Sequence, residues 1–350
     1  MDSNTPVITK ETKNKIRVDY EGKLTFKERF MQKLKASNTW IKVIVNILRF
    51  VLMLGVSYVI LYPFISRIAG SFMTHADVID ATVSIIPKHF TLDIYKYLII
   101  ENSYFEALFN TLLLSLFCAL VQMLVSCLVG YGLAKFKFKG NAAIMIAVIV
   151  TMIIPHAAMK ISLIQHFTNF DILKIIALEY KGPLELIFGE ALHLDQTFWP
   201  LIILSICGLG FKNGLYIYLM RQFFKGVPDE LEESAYVDGS GVFRTFFQII
   251  LPLSVPMMIT VFLFAFSWQW TDEFYTGLFF VPATEGGIYL MPDVYKNIPM
   301  ELVSGLPGQD LYDSVIKNTA GILIILPLVV LYLFCQQYLV QGIERSGLVG

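Results

Sequence analysis

Apolar residues run along this chain in unbroken blocks, without the two-residue alternation of half-buried strands or the one-sided stripe of a surface helix. Six blocks stand out, at residues 43–65, 107–134, 142–159, 198–220, 252–271 and 318–342. Crossing about 30 Å of hydrocarbon takes roughly 20 helical residues, so each block predicts a membrane-crossing helix. The second block holds no charged residue. The third is interrupted only by Pro155, and the fourth carries Lys212 with Gly208, Gly210 and Gly214. Asp272 and Glu273 stop the fifth, and a shorter apolar piece, 274–284, follows. The pattern predicts an all-α, polytopic membrane protein with six transmembrane helices.

Composition agrees with a bilayer as solvent. Of 350 residues, 56% are hydrophobic and only 16% charged, against about 25% charged in an ordinary soluble domain. A formal net charge of -1 argues against a nucleic-acid partner, which needs a dense basic face. With six crossings both termini lie on one side, and the Lys/Arg bias decides which. Eighteen of the 27 basic residues fall on the terminal side, eleven of them between Lys10 and Arg49, and eight on the other. Both termini are therefore expected in the cytoplasm.

The first apolar block begins about 40 residues in and lacks a small-x-small cleavage site, so it reads as a retained helix and not as a signal peptide. The expected organisation is a cytoplasmic segment at 1–42, a six-helix transmembrane domain at 43–342 and a cytoplasmic tail at 343–350. Residues 160–197 form an external segment in which 171–188 could include a short amphipathic helix. Cys118, Cys127, Cys207 and Cys335 all lie in apolar runs and are expected to be buried thiols.

The most informative segment lies between the fourth and fifth blocks, at 228–252. Pro228 suits the first turn of a helix, and Asp229, Glu230, Glu232 and Glu233 crowd its positive end, where the macrodipole favours acids. Gly239 can supply a left-handed stop. A second helix over 242–250 carries Val242, Phe243, Phe246, Phe247 and Ile250, and Pro252 would mark the turn into the fifth span. The expected product is a cytoplasmic two-helix loop with a glycine bend, its first helix made approachable by small Ser234 and Ala235.

These residues resemble the loop of binding-protein-dependent ABC importer permeases, which reads Glu-Ala-Ala, three residues, Gly, nine residues, Ile, one residue, Leu-Pro. The matching positions are Glu233, Ser234, Ala235, Gly239, Ile249, Leu251 and Pro252, with Ser in place of one Ala and every spacing intact. Six identities at frequencies of roughly 5–10% coincide by chance about once in 10⁷ starting points. The stretches 130–140, 219–225 and 267–272, with the tail from Gln337, look like carbohydrate permeases of the maltose-transporter G-subunit type. His156-Ala157 departs from the Gly-Gln more usual there.

The resemblance implies a carbohydrate importer subunit, for an oligosaccharide, in the bacterial or archaeal cytoplasmic membrane. Its loop would be a coupling helix docking into an ATPase cleft, through Glu232, Glu233, Ser234, Ala235, Asp238, Gly239, Ile249, Leu251 and Pro252. The implied partners are a second homologous permease, two ATPase subunits and an extracytoplasmic solute-binding protein; the tail would reach between the ATPases. No Gly-x-x-x-x-Gly-Lys-Ser/Thr phosphate cradle occurs, so no cofactor is expected in this chain, and ATP and Mg belong to the partner ATPase. No catalytic constellation or metal-ligand spacing is recognisable, which argues against an enzyme. The five histidines read as interfacial polar residues.

Lys212 has two readings, a partner for an acid or carbonyl in a subunit interface, or a snorkelling side chain. Asn110, Ser115, Gln122 and Ser126 in the second block could line a pathway, but bonds to neighbouring helices suit them better. A substrate pathway is placed at Trp268, Gln269, Trp270, Asp272 and Glu273. At about 1.5 Å per residue Trp268 lies roughly 24 Å beyond Pro252, in the outer third of its span. Two residues apart on a helix, Trp268 and Trp270 cannot share a face; either could belong to an interfacial belt or stack on a sugar ring. Two other functions stay open: an ion-coupled single-chain carrier using Lys212, Asp272 or Glu273, and an ABC permease for a non-sugar solute.

Overall fold

The computed structural model describes residues 10–11, 17–18, 37–171, 187, 189–280, 287–296, 305 and 307–347. Most of the N-terminal segment, the expected amphipathic helix near 171–188 and the last three residues lie outside them. The chain divides into two compact units, Met1–Arg67 and Ile68–Gly350. The first holds a short antiparallel pair, Lys10–Glu11 with Arg17–Val18, and most of helix α1, Ser37–Gly70.

The second unit is helical. Short α2 (His75–Ile79) and α3 (Asp93–Lys96) precede the long α4 (Tyr104–Lys135). Then come α5 (Asn141–Ile153), α6 (Lys160–Thr168), α7 (Trp199–Ile206), α8 (Asn213–Lys225), α9 (Glu230–Val237) and α10 (Val242–Trp270). Short α11 (Thr276–Phe279) and α12 (Met291–Lys296) lead to α13 (Gln309–Gly347). Among the described residues four helical stretches are long and apolar enough to cross a membrane: Ile41–Gly70, Tyr104–Lys135, Val242–Trp270 and Gln309–Leu339. The pair Asn141–Ile153 and His156–Thr168, bent by 97°, makes a fifth if counted as one crossing.

Three expectations change, each for a backbone reason. The third apolar block bends because Pro155 cannot donate an N–H and pushes Ile154 out of helical geometry, to φ -66 and ψ 123. The fourth block is two helices instead of one. Gly208 ends α7 at φ +72, with Leu209 N bonded to Leu204 O (2.8 Å) and Gly208 N to Ser205 O (3.2 Å), the paired bonds of a Schellman stop. Lys212, also left-handed at φ +61, starts α8. It therefore sits in a break and not in mid-helix. Finally, Pro252 marks no turn. A wide turn over Phe246–Ile250, closed by Leu251 N to Phe246 O, precedes it, and α10 continues to Trp270; the missing proline donor costs one bond and not the helix.

Helix α4 is the centre of this unit, with α7, α8 and α10 packed on it and α13 on α10. Its buried core includes Leu98, Tyr216, Met220, Phe224, Ile250 and Trp270. The crossing of α4 and α8 is set by Gly130: a Cβ there would stand 2.7 Å from Met220 Cβ and 2.9 Å from the Arg221 nitrogen. Gly214 plays the same part against α5, where a Cβ would meet Thr151 Oγ1 at 2.5 Å. Outward faces carry exposed Phe117, Ile146 and Phe334, as helices in lipid do. Cys118 and Cys127 are buried and Cys335 is half-buried, but Cys207, in the break, is exposed.

Candidate functional site

Two sites follow from this frame, one on the loop after α8 and one in the break before it. In the loop, α9 ends in a second Schellman stop. Ser240 N bonds to Ala235 O (2.9 Å) and Gly239 N to Tyr236 O (3.0 Å), with Gly239 at φ +81. Helix α9 is clamped to the end of α4. The Tyr131 hydroxyl donates to Glu232 Oε1 (2.7 Å), and Lys135 Nζ reaches Val227 O (2.6 Å), Asp229 Oδ1 (2.5 Å) and Glu232 Oε2 (3.6 Å). The Lys135 ammonium holds the Asp229 carboxyl below its usual range.

The clamp sorts the expected coupling residues by face. Glu232 and Ala235 are buried against the chain itself; Glu233, Ser234, Asp238 and Gly239 are exposed. Ile249 and Leu251 are half-buried against the core, and Pro252 is exposed. The bend also presents large apolar side chains that the motif does not contain: Val237 is 88% exposed, Phe243 80% and Phe247 58%. The loop thus carries an exposed apolar knob flanked by acids and is tied to a core helix.

The second site is a cavity of about 250 Å³ where the break between α7 and α8 faces the bend after α5. Thr151, His156, Gly210, Lys212, Asn213 and Tyr275 contribute to its lining. Tyr275 Oη and His156 Nδ1 stand 3.0 Å apart. Beside it, the Gln122 amide donates to Ser205 Oγ (3.1 Å), leaving the Gln122 oxygen without a partner. Both amide atoms of buried Asn213 also lack one. Lys212 Nζ lies over the rings of Phe211 and Trp268, 5.4 and 5.3 Å from their centroids.

The five residues expected to line the pathway are dispersed. Trp268 is 45% exposed and does not line the cavity; it lies beside Lys212, which does, and its ring is 5.5 Å from that of Phe211. Trp270 is buried, its indole N–H donating to Ile324 O at 2.9 Å. Gln269 is buried with its amide nitrogen unpartnered. The Asp272 carboxylate accepts the backbone N–H groups of Phe274, Tyr275 and Thr276 at 3.0–3.2 Å. It caps the turn into α11, which occupies it. Glu273 is exposed.

Residues 122–345 match the model of the family described as binding-protein-dependent transport system inner membrane component, well over half of the chain. The chain belongs to this family. It is 28% identical over 305 residues to the arabinooligosaccharides transport system permease protein AraQ of Bacillus subtilis (strain 168), across 86% of this chain and 94% of the relative. The polygalacturonan/rhamnogalacturonan transport system permease protein YtcP of the same organism is 24% identical over 296 residues, across 82% and 92%. In fold, the chain is similar to a chain of a bacterial ABC transporter involved in the import of the acidic polysaccharide alginate, at a TM-score of 0.64 and 19% identity, covering 87% of this chain and 98% of that one.

The family match takes in both the clamped loop and the cavity of this inner membrane component. Composition and spacing find the loop because its motif is local. They single out Lys212 but miss its neighbour Asn213, which an unbroken apolar run gives no reason to choose, and Tyr275, which reaches the cavity from a segment about sixty residues on. His156, read as an interfacial residue, lines the cavity. One signal for it was available: a histidine directly after the proline of an otherwise apolar block.

Proposed function

We propose that this chain is the transmembrane permease subunit of an ATP-driven ABC importer for an oligosaccharide, with six crossings and both termini in the cytoplasm. The sixth crossing would be the broken segment α7–α8. The observation that carries the reading is the clamped loop. Glu233, Ser234, Val237 and Phe243 are presented outward, while Glu232, Tyr131 and Lys135 fasten the same helix to α4, so a force on the loop reaches the centre of the helical unit. A partner ATPase pair, holding ATP and Mg, would move α9, and α4 and α8 would carry that motion to the cavity. A second permease would complete the pathway, and an extracytoplasmic binding protein would deliver the solute, as the family's description implies.

The saccharide assignment is supported by the relatives' names, AraQ for arabinooligosaccharides and YtcP for polygalacturonan or rhamnogalacturonan. Those names span neutral and carboxylate-bearing sugars.

One observation favours the competing carrier reading: a broken segment beside a bent one is a geometry that ion-coupled transporters also use. Purified complex in proteoliposomes separates the two. An ABC importer retains an ATPase chain through purification and takes up oligosaccharide only with internal ATP, unaffected by ionophores. Uptake that needs an ion gradient and no ATP would overturn the proposal.

A further inference from the structure

We propose that the cavity at the α7–α8 break binds an anionic group, so that the imported saccharide carries a carboxylate, as a uronate-containing oligosaccharide does. This rests on the saccharide-importer reading and narrows it.

Lys212 is placed at a threefold disadvantage. It is a non-glycine residue at φ +61, a conformation that costs an L-residue about 1–2 kcal/mol. It is the N-cap residue of the 13-residue α8, at the end where the helix dipole disfavours cations. It also sits in a segment of membrane-core composition, where a lysine is costly. Among the described residues no carboxylate forms an ion pair with it. The faces of Phe211 and Trp268 hold the ammonium in place but leave its charge uncompensated.

An anion in the cavity would offset the last two of these costs together. Lys212, Asn213, Gly214 and Leu215 all line it, so the α8 N-terminus opens directly onto it, the arrangement by which helix ends bind carboxylates and phosphates. Independently, Asn213 is 1% exposed and lines the cavity with both amide atoms unpartnered. Its nitrogen can donate to an anion or hydroxyl, and its oxygen can accept from a sugar hydroxyl. A buried polar side chain with neither bond made is costly and marks a site that a ligand completes. Gly210 and Gly214 let the cavity wall close tightly behind that site, since a Cβ at Gly210 would stand 2.8 Å from the Gln122 amide and one at Gly214 2.5 Å from Thr151 Oγ1. A cavity of about 250 Å³ suits one end of an oligosaccharide, with its charged ring at the lysine.

The test uses the assembled importer with its binding protein in proteoliposomes. Uptake is measured over a panel of tri- to pentasaccharides: galacturonate and alginate oligomers, the fully methyl-esterified galacturonate oligomers, and neutral arabino- and galacto-oligosaccharides. Lys212→Asn removes the charge while Asn still tolerates the left-handed backbone; Lys212→Arg keeps the charge. Wild type should take up at least one acidic member. Lys212→Asn should lower that uptake on the order of tenfold or more, by a clearly larger factor than for any neutral member carried, and Lys212→Arg should restore most of it. Uptake of neutral members alone, acidic uptake indifferent to Lys212→Asn, or equal loss for acidic and neutral sugars would each overturn the inference while leaving the importer reading intact. ATP-dependent uptake of no saccharide at all would overturn both.

Discussion

Tyr131, near the end of the central helix, donates its hydroxyl hydrogen to Glu232 Oε1 of the loop helix across 2.7 Å, and both residues are buried. Lys135, one turn further along α4, joins the same carboxylate at 3.6 Å and Asp229 at 2.5 Å. Of the loop's acids only Glu232 is buried, and through it and Asp229 the loop is fastened to the end of α4.

Breaking that tie should uncouple the importer. Tyr131→Phe removes one hydrogen bond to a charged acceptor, worth about 1.5–3 kcal/mol. Glu232→Ala goes further and strips buried Lys135 of a carboxylate. Uptake should fall in the order wild type, Tyr131→Phe, Glu232→Ala, with ATP hydrolysis by the complex falling less than uptake. Hydrolysis and uptake that fall in strict proportion would show that the clamp serves assembly and not coupling.

Gly239 needs its left-handed φ and nothing else, because a Cβ there meets no atom within 4 Å. Gly239→Val should therefore damage the bend by about 1–2 kcal/mol of backbone strain, displacing Val237 and Phe243. Gly239→Asn should retain most uptake. If the two variants transport equally well, the bend is not what positions the loop.

Two neighbouring glycines on α4 should behave oppositely. Gly130→Ala would put a methyl carbon 2.7 Å from Met220 Cβ and 2.9 Å from the Arg221 backbone, forcing α4 and α8 apart. Gly132 has nothing within 4 Å, so Gly132→Ala should gain up to about 1 kcal/mol of helix propensity. Thermal denaturation of the purified complex should show a lowered midpoint for the first and an unchanged or raised one for the second.

Trp268 and Trp270 are expected to separate function from stability. Trp270→Phe leaves the Ile324 carbonyl without its indole donor and should lower thermal stability without changing the concentration dependence of uptake. Trp268→Ala removes one of the two rings beneath Lys212 and should raise the concentration needed for half-maximal uptake at little cost in stability. The reverse pattern would move the pathway to the far side of α10.

The Asp229 carboxyl, held below the usual carboxylate range by the Lys135 ammonium, sets a direction for pH. A depressed folded value means the interaction contributes above the unfolded value and is lost as pH falls through the folded one. Protease access to the loop should thus be flat from neutral pH down to about 4 and rise only below that. Asp229→Asn should show the small increase already at pH 7.

The chain's helical class, its apolar solvent and the two-helix loop with its glycine bend were written in the sequence. Bilayer thickness sets the length of the apolar blocks, and a motif of fixed spacing inside one hairpin needs no tertiary information. Backbone rules were also local, but two competed there with hydropathy. An unbroken apolar run at 198–220 reads as one helix until Gly208 and Lys212 both adopt positive φ, and Pro252 reads as a break until a wide turn before it absorbs the missing donor. Which face of α9 turns inward was decided by Tyr131 and Lys135, about 100 residues away in sequence. Likewise Asp272, an apparent hydroxyl acceptor at the end of a span, is taken by the three backbone N–H groups that follow it. The cavity could come only from the fold. It joins a bend at Pro155, a break at 207–212 and Tyr275 beyond α10, and contacts between separate segments leave no periodic trace along the chain.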